Sequence, residues 1–144
     1  MTDKTGVVVY FPVAPHVHKF LQAKCGVKMV ASKQGLYGNV ILDLFSKRGA
    51  NAVKMPETLT FPVEISMRYM RENGIFIDEQ VVFKFNNRID AMLREEMRTY
   101  VNLTNSNNSV PKDTAIRQFM DSYKITEEDI KFETLKKDFH RNKH

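Results

Sequence analysis

The sequence predicts an α+β protein in which two related β-α-(β)-α units share a core and a helical hairpin, helix-turn-helix-like in size, follows them. Three observations predict it. A Phe-Pro-Val motif occurs twice, at Phe11–Val13 and Phe61–Val63, each time at the end of an apolar run. Apolar residues then recur at helical spacing after each motif. A polar stretch rich in Asn and Ser separates this pair of units from a last segment with its own helical periodicity. The expected organisation is a duplicated core over residues 1–101, with units of about 1–55 and 56–101, a linker over 102–112 and a hairpin over 113–144.

In the first unit, Val8-Val9-Tyr10-Phe11-Pro12-Val13 has the β-branched and aromatic content of a strand. Ala14–Lys24 follows as an amphipathic helix, with Val17, Phe20 and Leu21 on one face and Gly26 placed to end it. Val27–Ala31 is a candidate second strand, with Ser32–Gly35 as its turn. Tyr37–Ile41 opens a second helix carrying Ile41, Leu44 and Phe45.

The second unit repeats the order. Leu59–Val63 reads as a strand ending at its proline, and Glu64–Asn73 as a helix with Ile65, Tyr69 and Met70 inward and Gly74 as its stop. Ile75–Ile77 and Val81–Phe85 flank Asp78-Glu79-Gln80 as a hairpin. Phe85-Asn86-Asn87-Arg88-Ile89 echoes Tyr37–Ile41 and opens a helix with Ile89, Met92, Leu93 and Met97 on its buried side. A strand followed by two helices resembles the ribbon-helix-helix DNA binders, although the stretch between Gly74 and Asn86 exceeds that family's turn. Val8, Tyr10, Leu59 and Phe61 would form an apolar face better suited to burial than to reading DNA.

Asn102–Pro111 is expected to be a loop. Beyond it, Asp113 or Thr114 caps a helix bearing Ile116, Phe119, Met120 and Tyr123. A turn of about three residues leads to a second helix that starts at the capping-box-like Thr126-Glu-Glu-Asp129 and carries Ile130, Leu135 and Phe139.

Charge is distributed unevenly. The chain has 22 Lys and Arg against 17 Asp and Glu, a net +5. Residues 1–55 hold eight basic side chains against Asp3 and Asp43, so 8 − 2 = +6 falls there and the remainder sums to −1. An excess of this kind fits a surface for phosphate backbones or another polyanion. The candidate contacts are Lys19, Lys24, Lys28, Lys33, Lys47, Arg48 and Lys54, with Lys136, Lys137 and Arg141 as a second patch. They would act mainly on phosphates of duplex DNA, giving steep salt dependence and modest sequence preference.

No catalytic constellation stands out, so an enzyme is not expected, nor is a cofactor or a metal. His16, His18 and Cys25 lack a fourth ligand for zinc, and His-x-His diverges on a helix or strand. Cys25 at a helix C-terminus is placed to have its thiol pKa raised, which suits a small buried residue better than a nucleophile. Gly35–Gly38 precedes a helix but lacks the Lys-Ser/Thr of a phosphate-binding P-loop. The acidic residues Asp78, Glu79, Glu95 and Glu96 read as a solvated face. One cysteine fits a reducing compartment. The longest strongly apolar stretch, Val7–Val13, falls far short of the ~20 residues of a membrane-spanning helix, and MTDKTG lacks the order of a signal peptide. A cytoplasmic, non-membrane protein is expected.

Two stretches carry a resemblance: the strand-proline-helix order closing on Lys24-Cys25-Gly26 (Val13–Gly26), and Ala115-Ile-Arg with Phe119, Tyr123 and Ile125-Thr-Glu up to Asp129, followed by Glu133-Thr-Leu-Lys-Lys137. In these the chain resembles small basic proteins of phages and of conjugative or transposing elements of gut bacteria. The resemblance implies a mobile-element context and a role as a DNA-binding accessory or regulatory protein. It also implies a glycine-like, left-handed position at Lys124. The alternative expectation is a protein-interaction or assembly module, a phage virion component or an inhibitor of a host protein. Its partner would be a phage or host protein, and a homodimer is compatible with either reading.

Overall fold

The computed structural model describes residues 6–31, 59–73 and 79–142. Among these residues the protein is a mixed α+β fold of three strands and five helices. Strand β1 spans Gly6–Val13, helix α1 Pro15–Cys25, strand β2 Met29–Val30 and strand β3 Leu59–Ser66. Helix α2 spans Met67–Asn73, α3 Glu79–Asn108, α4 Lys112–Ser122 and α5 Phe132–Asn142. No described helix is long and apolar enough to cross a membrane.

The sheet order is β1-β3-β2, with β1 antiparallel and β2 parallel to β3. The register sets Phe11 opposite Phe61 and Tyr10 opposite Pro62. Both prolines lie within strands because neither ring displaces a needed donor. The Ala31 N–H donates to the Glu64 carbonyl at 2.9 Å, so even-numbered residues of β3 aim their backbone groups at β2. β2 begins opposite Val63, one residue past Pro62. Pro12, also even, faces away from β3 toward the edge of β1, where no strand among the described residues pairs and a missing N–H costs no ladder bond.

The sequence expected the second strand to end at Pro62 and Glu64–Asn73 to be helical. Glu64–Ser66 instead continue β3, because Ile65 is buried opposite Val7. The helix starts only at Met67, where the Ser66 hydroxyl accepts the Tyr69 N–H at 3.1 Å as an N-cap. The two faces also differ from expectation. Phe61 is buried with Phe11 and Val63, whereas Val8 and Tyr10 stand on the outer face and Leu59 is exposed at the strand end.

Helix α1 follows the sequence reading closely. Pro15 occupies its first turn, Val17, Phe20 and Leu21 are buried, and Gly26 ends it at φ 81° with its N–H on the Gln22 carbonyl. The expected strand over Val27–Ala31 is confined to Met29–Val30.

Helix α3 overturns three local expectations. Val81–Phe85 are helical rather than extended, Phe85–Ile89 lie inside the helix rather than opening it, and Asn102–Asn108 are its last turns rather than a loop. The reason is one apolar stripe, Val81, Phe85, Ile89, Leu93, Met97 and Val101, running along the helix under the sheet and against α4. The modest propensity cost of a few Asn and Ser residues at its exposed end is outweighed by that burial. The helix stops at Ser109, which is left-handed at φ 57°, and Asn105 Nδ2 donates to the Val110 carbonyl at 2.8 Å. Tyr69 and Met70 of α2 and the inner faces of α4 and α5 join the same core, which ends in Leu135 and Phe139.

The two C-terminal helices are present, but their junction is longer than the expected short turn, running from Tyr123 to Lys131. Helix α4 begins at Lys112, ahead of the expected caps Asp113 and Thr114. It ends in a Schellman arrangement, with the Ile125 N–H on the Met120 carbonyl at 2.8 Å and the Lys124 N–H on the Asp121 carbonyl at 3.0 Å. Lys124 is left-handed at φ 60°, the conformation that the resemblance implied. Thr126–Asp129 closes on itself as a separate turn, its Thr126 N–H on Asp129 Oδ2 at 2.8 Å, instead of starting a helix. Glu127 reaches forward to cap α5, accepting the Phe132 N–H at 2.7 Å.

Candidate functional site

The positions expected to meet phosphates do not form one patch. Lys19 and Lys24 lie on α1, and Lys28 follows its end. Lys19 Nζ donates to the Lys124 carbonyl at 2.7 Å and to Asp129 Oδ2 at 2.6 Å, pinning α1 to the turn after α4. Burial alone would raise the Asp129 pKa, but the Lys19 ammonium and the Thr126 donors hold it below the ordinary carboxylate value. Lys24 Nζ sits 2.9 Å from Glu96 Oε1 and lies 5.5 Å from the centre of the Phe20 ring and 5.6 Å from that of Tyr123. The Tyr123 hydroxyl, against the opposing effect of burial, and then the Glu96 carboxylate hold this ammonium charged beyond the ordinary lysine range. Tyr123 in turn hydrogen-bonds Glu96.

Lys28 Nζ meets Glu64 Oε1 at 2.5 Å, and Lys136 Nζ meets Asp113 Oδ2 at 3.2 Å. Lys137 and Arg141 are exposed on α5 and have no carboxylate partner among the described residues. Lys33, Lys47, Arg48 and Lys54 lie outside the described residues.

Between α1 and the α4–α5 junction the surface forms an open groove of about 300 Å³ lined by Lys19, Gln22, Ala23, Ser122, Tyr123 and Lys124. It combines one expected cation, Lys19, with Lys124, which was not among the expected contacts. Asp129 pairs with Lys19 and offsets its charge, while no carboxylate is paired with the Lys124 ammonium among the described residues.

A second polar cluster lay beyond the sequence reading. His16 Nε2 and Asp90 Oδ1 are 2.6 Å apart, Arg94 Nε approaches Asp90 Oδ2 at 2.9 Å, and Asp138 accepts from Arg94 at 3.3 Å and from Arg98 at 2.6 Å. The chain of charges ties α1 to α3 to α5. One turn earlier on α3, Asn86 is the single buried polar residue among those described. Its Oδ1 accepts the Ala14 N–H at 2.8 Å, and its Nδ2 donates to the Pro12 carbonyl at 3.1 Å and to Val82 at 2.8 Å. The available signal was a polar residue at a position where the apolar stripe Val82–Ile89 calls for a buried one.

His18 packs its ring on Phe61 with centroids 5.6 Å apart while His16 faces Asp90, so the two imidazoles have different neighbours. Burial raises the Cys25 thiol above its ordinary pKa. Among the described residues no group of three or more His, Cys, Asp or Glu side chains is placed to hold a metal.

On the outer sheet face Tyr10 is 65% exposed, Val30 56% and Val8 41%, beside the Lys28–Glu64 pair. No family model, no curated protein and no solved structure matches this chain.

Proposed function

We propose that the protein is a non-enzymatic, cytoplasmic DNA-binding accessory or regulatory protein of a phage or mobile genetic element, contacting duplex phosphates through basic side chains. The observation that carries this reading is the pair Lys137 and Arg141, exposed one helical turn apart on α5 and without an ion-pair partner among the described residues. The +6 excess over residues 1–55 supports it. Residues four apart on a helix are surface neighbours, so both cations reach one backbone together. Lys28 and Lys136 join by exchanging a carboxylate for a phosphate, a small cost because exposed ion pairs are worth about 1 kcal/mol or less. The long junction between α4 and α5 favours phosphate contact over groove reading by a tight helix-turn-helix.

Fluorescence anisotropy of a labelled random duplex at two salt concentrations tests this. Binding should weaken by orders of magnitude at the higher salt. The double substitution Lys137→Glu, Arg141→Glu should weaken it further and flatten the salt slope by about two contacts' worth. Absence of binding at low salt would overturn the reading.

The exposed Val8, Tyr10 and Val30 favour a second reading, a protein-interaction or assembly module such as a virion component or an inhibitor of a host protein. Absence of DNA binding at low salt would shift the weight to it.

A further inference from the structure

We propose that β1 is a pairing edge for a second copy of this chain, joining antiparallel to the partner's β1 over Gly6–Tyr10. The inference does not depend on DNA binding; it gives the edge of β1 a specific occupant.

The direction of the backbone groups is the first argument. Even-numbered residues of β3 face β2, as the Ala31 to Glu64 bond shows, and the register pairs even residues with even ones. Gly6, Val8 and Tyr10 therefore turn their N–H and C=O away from β3. Among the described residues nothing accepts or donates to them there. At Pro12 the edge ends, because the ring carries no N–H and Asn86 Nδ2 already occupies its carbonyl at 3.1 Å. The open ladder is thus the segment Gly6–Tyr10.

The second argument is what this edge lacks. Sheets guard exposed edges with charges, bulges or a covering element. Gly6–Val13 contains no charged residue, and its outer face presents Val8 and Tyr10 to solvent.

The third argument selects a second copy over another peptide. With Val8 opposite the partner's Val8 on a two-fold axis, Gly6 stands opposite the partner's Tyr10. The bulkiest exposed side chain of the strand then faces the residue without one, an arrangement in which an aromatic ring covers a strand glycine. A Cβ at Gly6 would lie 2.7 Å from Glu64 Cγ, so any larger residue there would displace the Glu64 side chain. The same register keeps the half-buried Val7 and Val9 on the inner face beside the partner's Val9 and Val7. Self-pairing brings no like charges together and adds about six main-chain hydrogen bonds. A continuous six-stranded sheet results.

The test is the mass of the full chain by sedimentation or light scattering between about 1 and about 100 µM, the range in which mass action resolves a moderate dimer. Wild type should reach twice the mass of one chain. Val8→Pro should shift the dissociation constant at least tenfold toward monomer with an unchanged circular dichroism spectrum, because the lost N–H lies outside the β1–β3 ladder and proline is tolerated at a free edge. Val8→Lys, which sets like charges face to face on the axis, should do the same and serves if the proline variant fails to fold. A wild-type monomer over the whole range would overturn the proposal, as would a Val8→Lys variant that dimerises as tightly as wild type.

Discussion

Phe11 and Phe61 stand directly opposite each other in the antiparallel pair of β1 and β3, both buried. They are the same position of the Phe-Pro-Val echo, so residues equivalent by a shift of 50 along the chain are equivalent by a local two-fold within the sheet. Phe11 also meets the edge of the Phe85 ring, with centroids 5.0 Å apart, which carries the contact into α3.

Truncating either ring should therefore be severe. Phe11→Ala and Phe61→Ala are each expected to cost about 3–5 kcal/mol in urea unfolding, from lost transfer energy and the cavity left behind. The double variant should lose less than the sum, because the two cavities adjoin.

Asn86→Ala is expected to destabilise by about 2–4 kcal/mol, since it strips partners from the buried Ala14 N–H and the Pro12 carbonyl at once. Asn86→Leu, which restores volume but not hydrogen bonds, should recover only part of the loss in the same urea titration.

Stability should fall in acid partly through Asp90. Burial pushes its carboxyl pKa up, but the hydrogen bond with His16 and the Arg94 guanidinium outweigh it and hold the pKa below the ordinary 3.8. A pKa lowered on folding adds stability that is fully present above the unfolded value and is lost as pH falls through the folded one. Asp90→Asn should thus be less stable than wild type at neutral pH by about 1 kcal/mol and show a smaller further loss below about pH 4. Thermal unfolding of both proteins across that range checks it.

Lys124 occupies a left-handed conformation at φ 60° in the cap of α4. Lys124→Gly is expected to be neutral or stabilising by up to about 1 kcal/mol, the relief of strain being offset by glycine's greater freedom when unfolded. Lys124→Ile should destabilise, because β-branched residues fit that region worst. The Lys19 bond goes to the Lys124 carbonyl, so both variants retain it and the difference in melting temperature isolates the backbone effect.

Elements whose signals lie within a few residues were legible. Pro15 and Gly26 bracket α1 almost to the residue, and the apolar content of Val8–Val13 marks β1. The same local reading failed where a distant partner decides. Pro62 looked like a strand end, yet β2 starts too late to need its N–H, and the Asn-rich turns after Val101 looked like a loop, yet they extend a helix held by α4.

For the candidate site the sequence determined which side chains are basic and that their excess lies in residues 1–55. Only the tertiary structure decided which of them are spent on carboxylates: Asp129 takes Lys19 from 110 positions away, Glu96 takes Lys24, and Lys137 and Arg141 are left exposed. The physical reason is that caps and turns are made by neighbours along the chain, whereas charge pairing and the polarity of a strand's backbone depend on which elements fold against one another.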